Sequence, residues 1–189
     1  MKIWDSLMGR RTPIRANLDA LFALPTAAIT LQTAAGFNPT GVGSVCYRSA
    51  EGAAFAQTQT DVVALLDADE GPDVERSDDA YGYTWLLARH DPVDMAGLVT
   101  DLHAVNTTLE AQGFGSGLLC SLVAFTDAAG RRLGLVYLYK QGTFYPFVPL
   151  EGQRRDNVVE IQIRDLIKND LPVEPQLQRW MPVWGAPGL

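Results

Sequence analysis

The residue types best suited to chemistry in this chain are two cysteines and two histidines. Cys46 and Cys120 each lie in an apolar, strand-like run, and His90 and His103 are thirteen residues apart. A thiol beside an imidazole can act as a nucleophile, so a pair formed by Cys120 and His103 would indicate a hydrolase. Neither cysteine belongs to a Cys-x-x-Cys pattern, and no compact set of carboxylates accompanies the histidines, so we expect no metal site. Both cysteines are predicted to be buried, reduced thiols.

Three serines and one glycine-rich loop are the other candidates for chemistry. Ser44, Ser116 and Ser121 could act as nucleophiles, but none lies in a G-x-S-x-G turn between a strand and a helix. The stretch Gly113–Gly117 would cradle a phosphate only if a strand led into it and a helix followed. Here a predicted helix ends and a strand begins, so the stretch is interpreted as a structural turn. We therefore expect no catalytic residues and no cofactor, and we predict that the protein is not an enzyme.

Charge is distributed unevenly along the chain. The 15 basic and 22 acidic residues give a net charge of −7, which argues against a nucleic-acid partner. Residues 61–79 carry eight acids and one base, whereas residues 1–15 carry four bases and one acid. The acidic band is interpreted as a solvated helix end and loop, or alternatively as a docking face for a basic partner. No membrane-spanning segment and no secretory signal are expected, which predicts a cytoplasmic protein.

The N-terminal tip, residues 1–15, is the candidate contact surface. Apolar and basic side chains follow one another there at helical spacing: Ile3, Trp4, Leu7, Met8, Arg10 and Arg11. An apolar face with adjoining arginines suits weak binding to an anionic membrane or to a partner's groove. The alternative is a short helix packed on its own domain, because isolated helices of this length are marginal.

The clearest predicted element is a helix over about 92–112. Asp91 is its expected N-cap, Pro92 stands at its first position and Gly113 ends it. Further elements are expected in order: strands over 118–125, 133–139 and 142–147, and a final helix capped by Asp156 or Asn157. Pro146 favours an edge position for the last of these strands.

The first half of the chain repeats this plan at an offset of 77 or 78 residues. Gly36-Phe37 aligns with Gly113-Phe114, and Ser49–Gly52 aligns with Asp127–Gly130. The pattern predicts an α+β fold of two related α-β-β units, about 17–90 and 91–170, with a largely antiparallel sheet and helices packed on it. A helix at about 58–68 and a strand at 83–88 are expected between the copies. A Pro- and Trp-rich tail completes the single domain, residues 16–189.

Seven segments spread along the chain carry a family resemblance: Asn17–Pro25, Tyr81–Trp85, Asp101–Asn106, Leu135–Lys140, Phe144–Phe147, Arg154–Asn157 and Trp180–Gly185. Together they resemble the PspA-associated protein family PspAB. The resemblance implies a cytoplasmic accessory or regulatory protein that contacts PspA, a membrane-remodelling coiled-coil protein of the phage-shock envelope-stress response. It also suggests an HtpX-like membrane protease as a second partner and a peripheral position at the inner face of the membrane. It implies no catalytic residues.

Two other functions remain open at this point. A chaperone-like peptide-binding domain, similar to YbjN or type III secretion chaperones, also combines helices with an antiparallel sheet. A hydrolase built on Cys120 and His103 is the other alternative. An open apolar groove would favour peptide binding, whereas a polar pocket in which Cys120 and His103 converge would favour an enzyme.

Overall fold

A six-stranded antiparallel sheet organises the chain. The computed structural model describes residues 16–68 and 71–189. The strands are β1 (Asn38–Tyr47), β2 (Glu75–Asp78), β3 (Thr84–Arg89), β4 (Leu118–Thr126), β5 (Arg132–Leu138) and β6 (Thr143–Phe147). They lie in the order β2-β3-β1-β4-β5-β6, and each neighbouring pair is antiparallel. Pro146 therefore lies on an edge strand, as predicted. Two shorter strands, β7 (Pro149–Leu150) and β8 (Arg154–Arg155), form a separate hairpin.

Helices cover one face of this sheet. They are α1 (Leu24–Ala35), α2 (Ala53–Leu66), α3 (Met95–Ala111) and α4 (Asn157–Ile167), and a 3-10 helix, Leu18–Ala23, precedes α1. Successive side chains of a strand point to opposite faces of the sheet. On β1, Val45 and Tyr47 point to the helices and are buried with Leu98 and Leu102 of α3. The predicted α+β class, with helices packed on an antiparallel sheet, is confirmed.

The C-terminal segment, rather than a helix, covers the other face of the sheet. The Trp180 ring stacks on Tyr145 of β6, with 6.0 Å between ring centroids and 20° between ring planes. Trp184 meets Phe147 edge-on, with centroids 4.9 Å apart. The Tyr145 hydroxyl donates a hydrogen bond of 2.6 Å to the Met181 carbonyl. The C-terminal segment therefore lies over this face of the sheet with both tryptophans as anchors.

The run Leu18–Ala35 differs from the expectation that no segment is apolar enough to span a membrane. Its 18 residues have a mean hydropathy of 1.3, which is sufficient for a span by length and composition alone. Leu21, Leu24 and Leu31 of this run are buried against the sheet and α3. In this fold these leucines belong to the core, whereas Phe22 and Ile29 of the same run are 50% and 63% exposed.

Two local predictions are wrong. The N-cap of α3 is Asp94, which accepts a hydrogen bond of 2.9 Å from the Gly97 amide. Asp91 instead closes the turn before the helix, because its side chain accepts from the Val93 amide at 3.0 Å. The returning strand that the duplication implies after Ser49–Gly52 is not formed, because residues 53–66 form α2; the helix predicted at about 58–68 is present but begins earlier. Four buried residues of α2, Phe55, Thr58, Val62 and Leu66, are spaced three or four apart and therefore lie on one helical face.

The predicted internal duplication is not confirmed. Gly36 and Gly113 both follow a helix with a left-handed backbone, at φ of 70° and 87°, which favours glycine in this position. The second pair of landmarks differs, however. Asp127–Gly130 joins β4 to β5 as a hairpin turn, whereas Ser49–Gly52 leads into α2.

His90 lies between two carboxylates at the start of α3. Its Nε2 atom is 2.6 Å from Asp101 Oδ2, and its Nδ1 atom is 3.1 Å from Asp94 Oδ2. Burial favours the neutral imidazole, but the hydrogen bonds with Asp101 and Asp94 outweigh it and raise the pKa of His90 above its ordinary value of 6.5. The cluster ties the end of β3 to the first turns of α3.

We expect the His90→Gln variant to lose most stability in mildly acidic solution and least in alkaline solution. Because folding raises the pKa of His90, its charged form stabilises the fold fully below the unfolded-state pKa, and this stabilisation disappears as pH rises through the folded-state pKa. Urea unfolding of both proteins between about pH 5.5 and 9 measures the difference. In an Asp101→Asn background, the loss of stability caused by His90→Gln should depend less on pH. A difference that is the same at every pH contradicts this prediction.

Candidate functional site: an aromatic pocket over two thiols

A row of four side chains crosses the sheet on the face away from the helices. In the register of β3, β1, β4 and β5, Trp85 pairs with Cys46, Cys46 with Cys120, and Cys120 with Leu138. Directly paired residues of neighbouring strands point to the same face of a sheet. The row forms the floor of a pocket of about 460 Å³, which we call the aromatic pocket.

The walls of the aromatic pocket come from two separate parts of the chain. Tyr81 and Tyr83, between β2 and β3, form one wall, and Met181–Trp184 of the C-terminal segment forms the other. Tyr81 and Met181 are 74% and 61% exposed, so the mouth of the pocket has an apolar rim in contact with solvent. A pocket of a few hundred Å³ with this lining is typical of a binding site.

Asp79 places one carboxylate at the edge of the aromatic pocket. It accepts hydrogen bonds from the Tyr81 amide at 2.8 Å, the Tyr83 amide at 3.0 Å and Trp85 Nε1 at 3.1 Å. Burial acts to raise the pKa of Asp79, but these hydrogen bonds outweigh it and hold the pKa below its ordinary value of 3.8. The pocket therefore has a fixed negative charge at neutral pH, which favours an apolar ligand with an adjacent cationic group.

Cys46 and Cys120 are free and buried, as predicted. A hydrogen bond with the Cys120 thiol, burial, and the nearby Cys120 and Asp79 groups all raise the pKa of the Cys46 thiol. Cys46 is therefore a neutral thiol near pH 7. Since the thiolate is the nucleophilic form, Cys46 is poorly suited to start a reaction.

The pair of Cys120 and His103 on which the hydrolase hypothesis depends is not formed. His103 lies on α3, and its Nε2 atom is 3.5 Å from Asp19 Oδ1. Ser121, the residue after Cys120, accepts a hydrogen bond of 2.9 Å from Asn106 of α3. Ser121 therefore faces the helices, and Cys120 points to the opposite side of the sheet. The sheet separates the thiol from the imidazole.

The three candidate serines and the glycine-rich stretch lie in strands, in a short helix and in a turn. Ser44 and Ser121 are buried within strands, and Ser116 lies exposed in a short 3-10 helix, Gly115–Gly117. The glycine-rich stretch connects the end of α3 to β4, which confirms that it is a turn. Within residues 16–68 and 71–189, no group of three or more His, Cys, Asp or Glu residues is placed to hold a metal ion.

The structure describes most of the acidic band, residues 61–79, but none of the N-terminal tip, residues 1–15. The tip residues Ile3, Trp4, Leu7, Met8, Arg10 and Arg11 lie outside the described residues. The described part of the acidic band runs into the exposed strand β2 at the edge of the sheet. There Glu75 pairs with Arg89 at 2.8 Å, and Asp78 pairs with Arg76 at 3.5 Å. The acidic band reaches the aromatic pocket through Asp79.

Sequence reasoning did not find the aromatic pocket. A signal was present, because Cys46 and Cys120 are each in an apolar strand, and aromatic residues cluster at 81–85 and 180–184. The order of the strands in the sheet brings these segments together, and this order cannot be read from the sequence. Along the chain, β1 and β4 are separated by α2, β2, β3 and α3, yet they are neighbours in the sheet.

Comparison with known proteins identifies a family. The model of the family described as PspAB, PspA associated protein B, matches residues 1–188. No significant match is found to a curated protein or to a solved structure. The family match includes both the aromatic pocket and the N-terminal tip.

Proposed function

Since the chain belongs to the PspA associated protein B family, we propose that it is a non-enzymatic accessory or regulatory protein of the PspA envelope-stress response and acts by direct contact with PspA. The observation that carries this proposal is the family match over residues 1–188. The proposed location is the cytoplasm, with peripheral attachment at the inner face of the membrane where PspA works.

The aromatic pocket is the proposed contact surface for PspA. Aromatic side chains supply much of the binding energy at protein interfaces, and this pocket has Tyr81 exposed at its rim and Trp85 in its floor. Asp79 adds a fixed negative charge beside the apolar surface. A helix of a coiled-coil protein carries apolar residues with Lys or Arg next to them. The proposed ligand is therefore an apolar helical segment of PspA with a basic residue near Asp79.

The N-terminal tip is proposed as a second, weaker contact. Its apolar residues would insert at the surface of an anionic membrane, and its basic residues would add attraction to the lipid headgroups: Ile3, Trp4, Leu7, Met8, Arg10 and Arg11. Such binding is reversible and weakens with salt. An HtpX-like membrane protease is a further proposed partner. The protein would contact this protease after its own attachment to the membrane surface.

We expect a variant with Tyr81→Ser and Met181→Ser to bind purified PspA at least about tenfold more weakly than the parent chain. The two substitutions remove apolar contact at the pocket rim, and losing one interface hot spot of about 2 kcal/mol corresponds to more than a tenfold change in affinity. Both side chains are mostly exposed, so the fold should be retained. Titration calorimetry with PspA in solution, without lipid, measures the affinity.

The matched control for this experiment is Val93→Ser. Val93 is 90% exposed and lies in a second groove, beside Ile29 of α1, on the helical side of the molecule. We expect Val93→Ser to bind PspA as tightly as the parent chain does. Deletion of residues 1–11 tests the N-terminal tip, and we expect it to reduce co-sedimentation with anionic vesicles without reducing the affinity for PspA in solution. If the pocket variant binds normally, the pocket is not the contact surface. If the parent chain does not bind PspA at all, the proposed function is wrong.

A second candidate function is peptide binding of the chaperone type. The open apolar mouth of the aromatic pocket is the observation that favours it. A general peptide-binding domain would bind unrelated peptides that combine apolar and basic residues as tightly as it binds PspA. Competition between such peptides and PspA for the pocket distinguishes the two functions.

A further inference from the structure

The two cysteines are placed so that a disulfide can form between them. Cys46 of β1 and Cys120 of β4 are direct partners in the antiparallel ladder. Directly opposed residues in such a ladder have Cα atoms about 4.5 or 5.5 Å apart, and disulfides span Cα distances of about 4.4–6.8 Å. Either ladder geometry is therefore compatible with a bond between these two residues.

Small reagents can approach the thiols from one side only. The helical core covers the other face of β1 and β4, where Val45 and Ser121 are buried. On the thiol side, the aromatic pocket of about 460 Å³ opens directly above Cys46 and Cys120. The size of the aromatic pocket therefore favours a small disulfide as the oxidant.

We propose that Cys46 and Cys120 are a redox-active dithiol, which small disulfides of the class of oxidised low-molecular-weight thiols convert reversibly into an intramolecular disulfide at the floor of the aromatic pocket. This proposal is independent of whether PspA binds there. The register of β1 and β4 and the opening above the two sulfur atoms carry it.

The reaction is two successive thiol–disulfide exchanges. The Cys120 thiolate attacks one sulfur of the small disulfide, which forms a mixed disulfide on Cys120 and releases one small thiolate. Cys46 then gives up its proton to the small thiolate released in the first step and attacks Cys120 Sγ, which forms the Cys46–Cys120 bond and releases the second small thiolate. The second small thiolate takes up a proton from water in place of the one that Cys120 had lost. The protein loses two electrons and two protons, and the small disulfide becomes two thiols. Cys120 is assigned the first attack because it is the more exposed of the two, at 8% against 3%.

The test uses the native full-length chain and oxidised glutathione as the probe. After acid quenching, non-reducing mass spectrometry should show a product lighter by two hydrogen atoms, with the peptides of Cys46 and Cys120 linked, and excess reduced glutathione should restore the dithiol. The Cys46→Ser variant should stop at a mixed disulfide on Cys120. The Cys120→Ser variant should react at least tenfold more slowly than Cys46→Ser.

Three results would overturn the proposal or its assignment. A native chain that keeps both thiols, under conditions in which the urea-unfolded chain is oxidised, shows that the pair is not accessible in the fold. Formation of disulfide-linked dimers instead of the internal bond shows that a thiol is accessible but that Cys46 and Cys120 do not join each other in the fold. Faster modification of Cys46 in the Cys120→Ser variant reverses the order of attack. If the serine variants do not fold, Cys46→Ala and Cys120→Ala replace them, with circular dichroism as the check on folding.

Discussion

The Glu160→Ala variant is expected to be about 3–5 kcal/mol less stable than the parent chain, because the substitution leaves the largely buried guanidinium of Arg155 without its carboxylate partner. Glu160 is 2% exposed and accepts hydrogen bonds of 2.9 Å from both the Val148 amide and Arg155 Nε. Arg155 also donates from Nη1 to the Trp180 carbonyl at 2.5 Å. Burial raises the pKa of Glu160, although the bonds from Val148 and Arg155 act to lower it. The pair joins α4 to the C-terminal segment.

Urea unfolding at neutral pH measures this loss of stability. The matched control is Arg164→Ala on the same helix, whose ion pair with Asp165 is exposed to solvent. Exposed pairs contribute about 0–1 kcal/mol, so this control should be nearly as stable as the parent chain. Glu160→Gln should lie between the two, since it keeps an acceptor but loses the charge. If Glu160→Ala costs no more than Arg164→Ala, Arg155 has found another partner and the prediction is wrong.

Trp180→Ala is the second substitution with a large expected effect, about 3–5 kcal/mol of stability. Trp180 is 5% exposed, stacks on Tyr145 and donates from Nε1 to the Glu174 carbonyl at 3.0 Å. Its removal leaves a cavity and a buried carbonyl without a donor. Since Trp180 holds the C-terminal segment on the sheet, the thiols below that segment should also become easier to label.

The comparison with Trp184→Ala makes this prediction specific. Trp184 is only partly buried and meets Phe147 edge-on, so its loss should cost less than that of Trp180. Thermal unfolding followed by circular dichroism orders the two variants, and labelling of the native proteins with a maleimide reports on Cys46 and Cys120. If Trp184→Ala loses as much thermal stability as Trp180→Ala, or more, Trp184 rather than Trp180 is the main anchor of the C-terminal segment.

Features that depend on neighbouring residues could be predicted from the sequence. The turn between β4 and β5 is an example, because the Asp127 side chain accepts from the Ala129 and Arg131 amides at 3.0 and 2.8 Å. The cap of α4 is another, since Asp156 accepts from the Val159 amide at 3.0 Å. Glu160 has the spacing of a capping box but points into the core instead, where Arg155 and the Val148 amide offer stronger, buried contacts.

Features that depend on distant segments could not be predicted in this way. The sequence favoured Asp91 as the cap of α3 because Pro92 follows it, but the cap is Asp94, which also contacts His90 at the end of β3. Ser49–Gly52 leads into α2 rather than into a returning strand because residues 53–66 can bury one face of a helix against α3. Propensity alone does not include the energy of such contacts.

The sequence by itself determined the family, the α+β class, most of the helices and strands, and the burial of both cysteines, because composition, periodicity and motif order are properties of the chain. Only the tertiary structure decided that Cys46 lies opposite Cys120, that Asp79 and the tail enclose the same pocket, and that His103 lies beyond the sheet. Pairing of β1 with β4 brings together residues 74 positions apart. Which strands pair depends on how the two faces of the sheet become buried, and every helix and strand contributes to that burial.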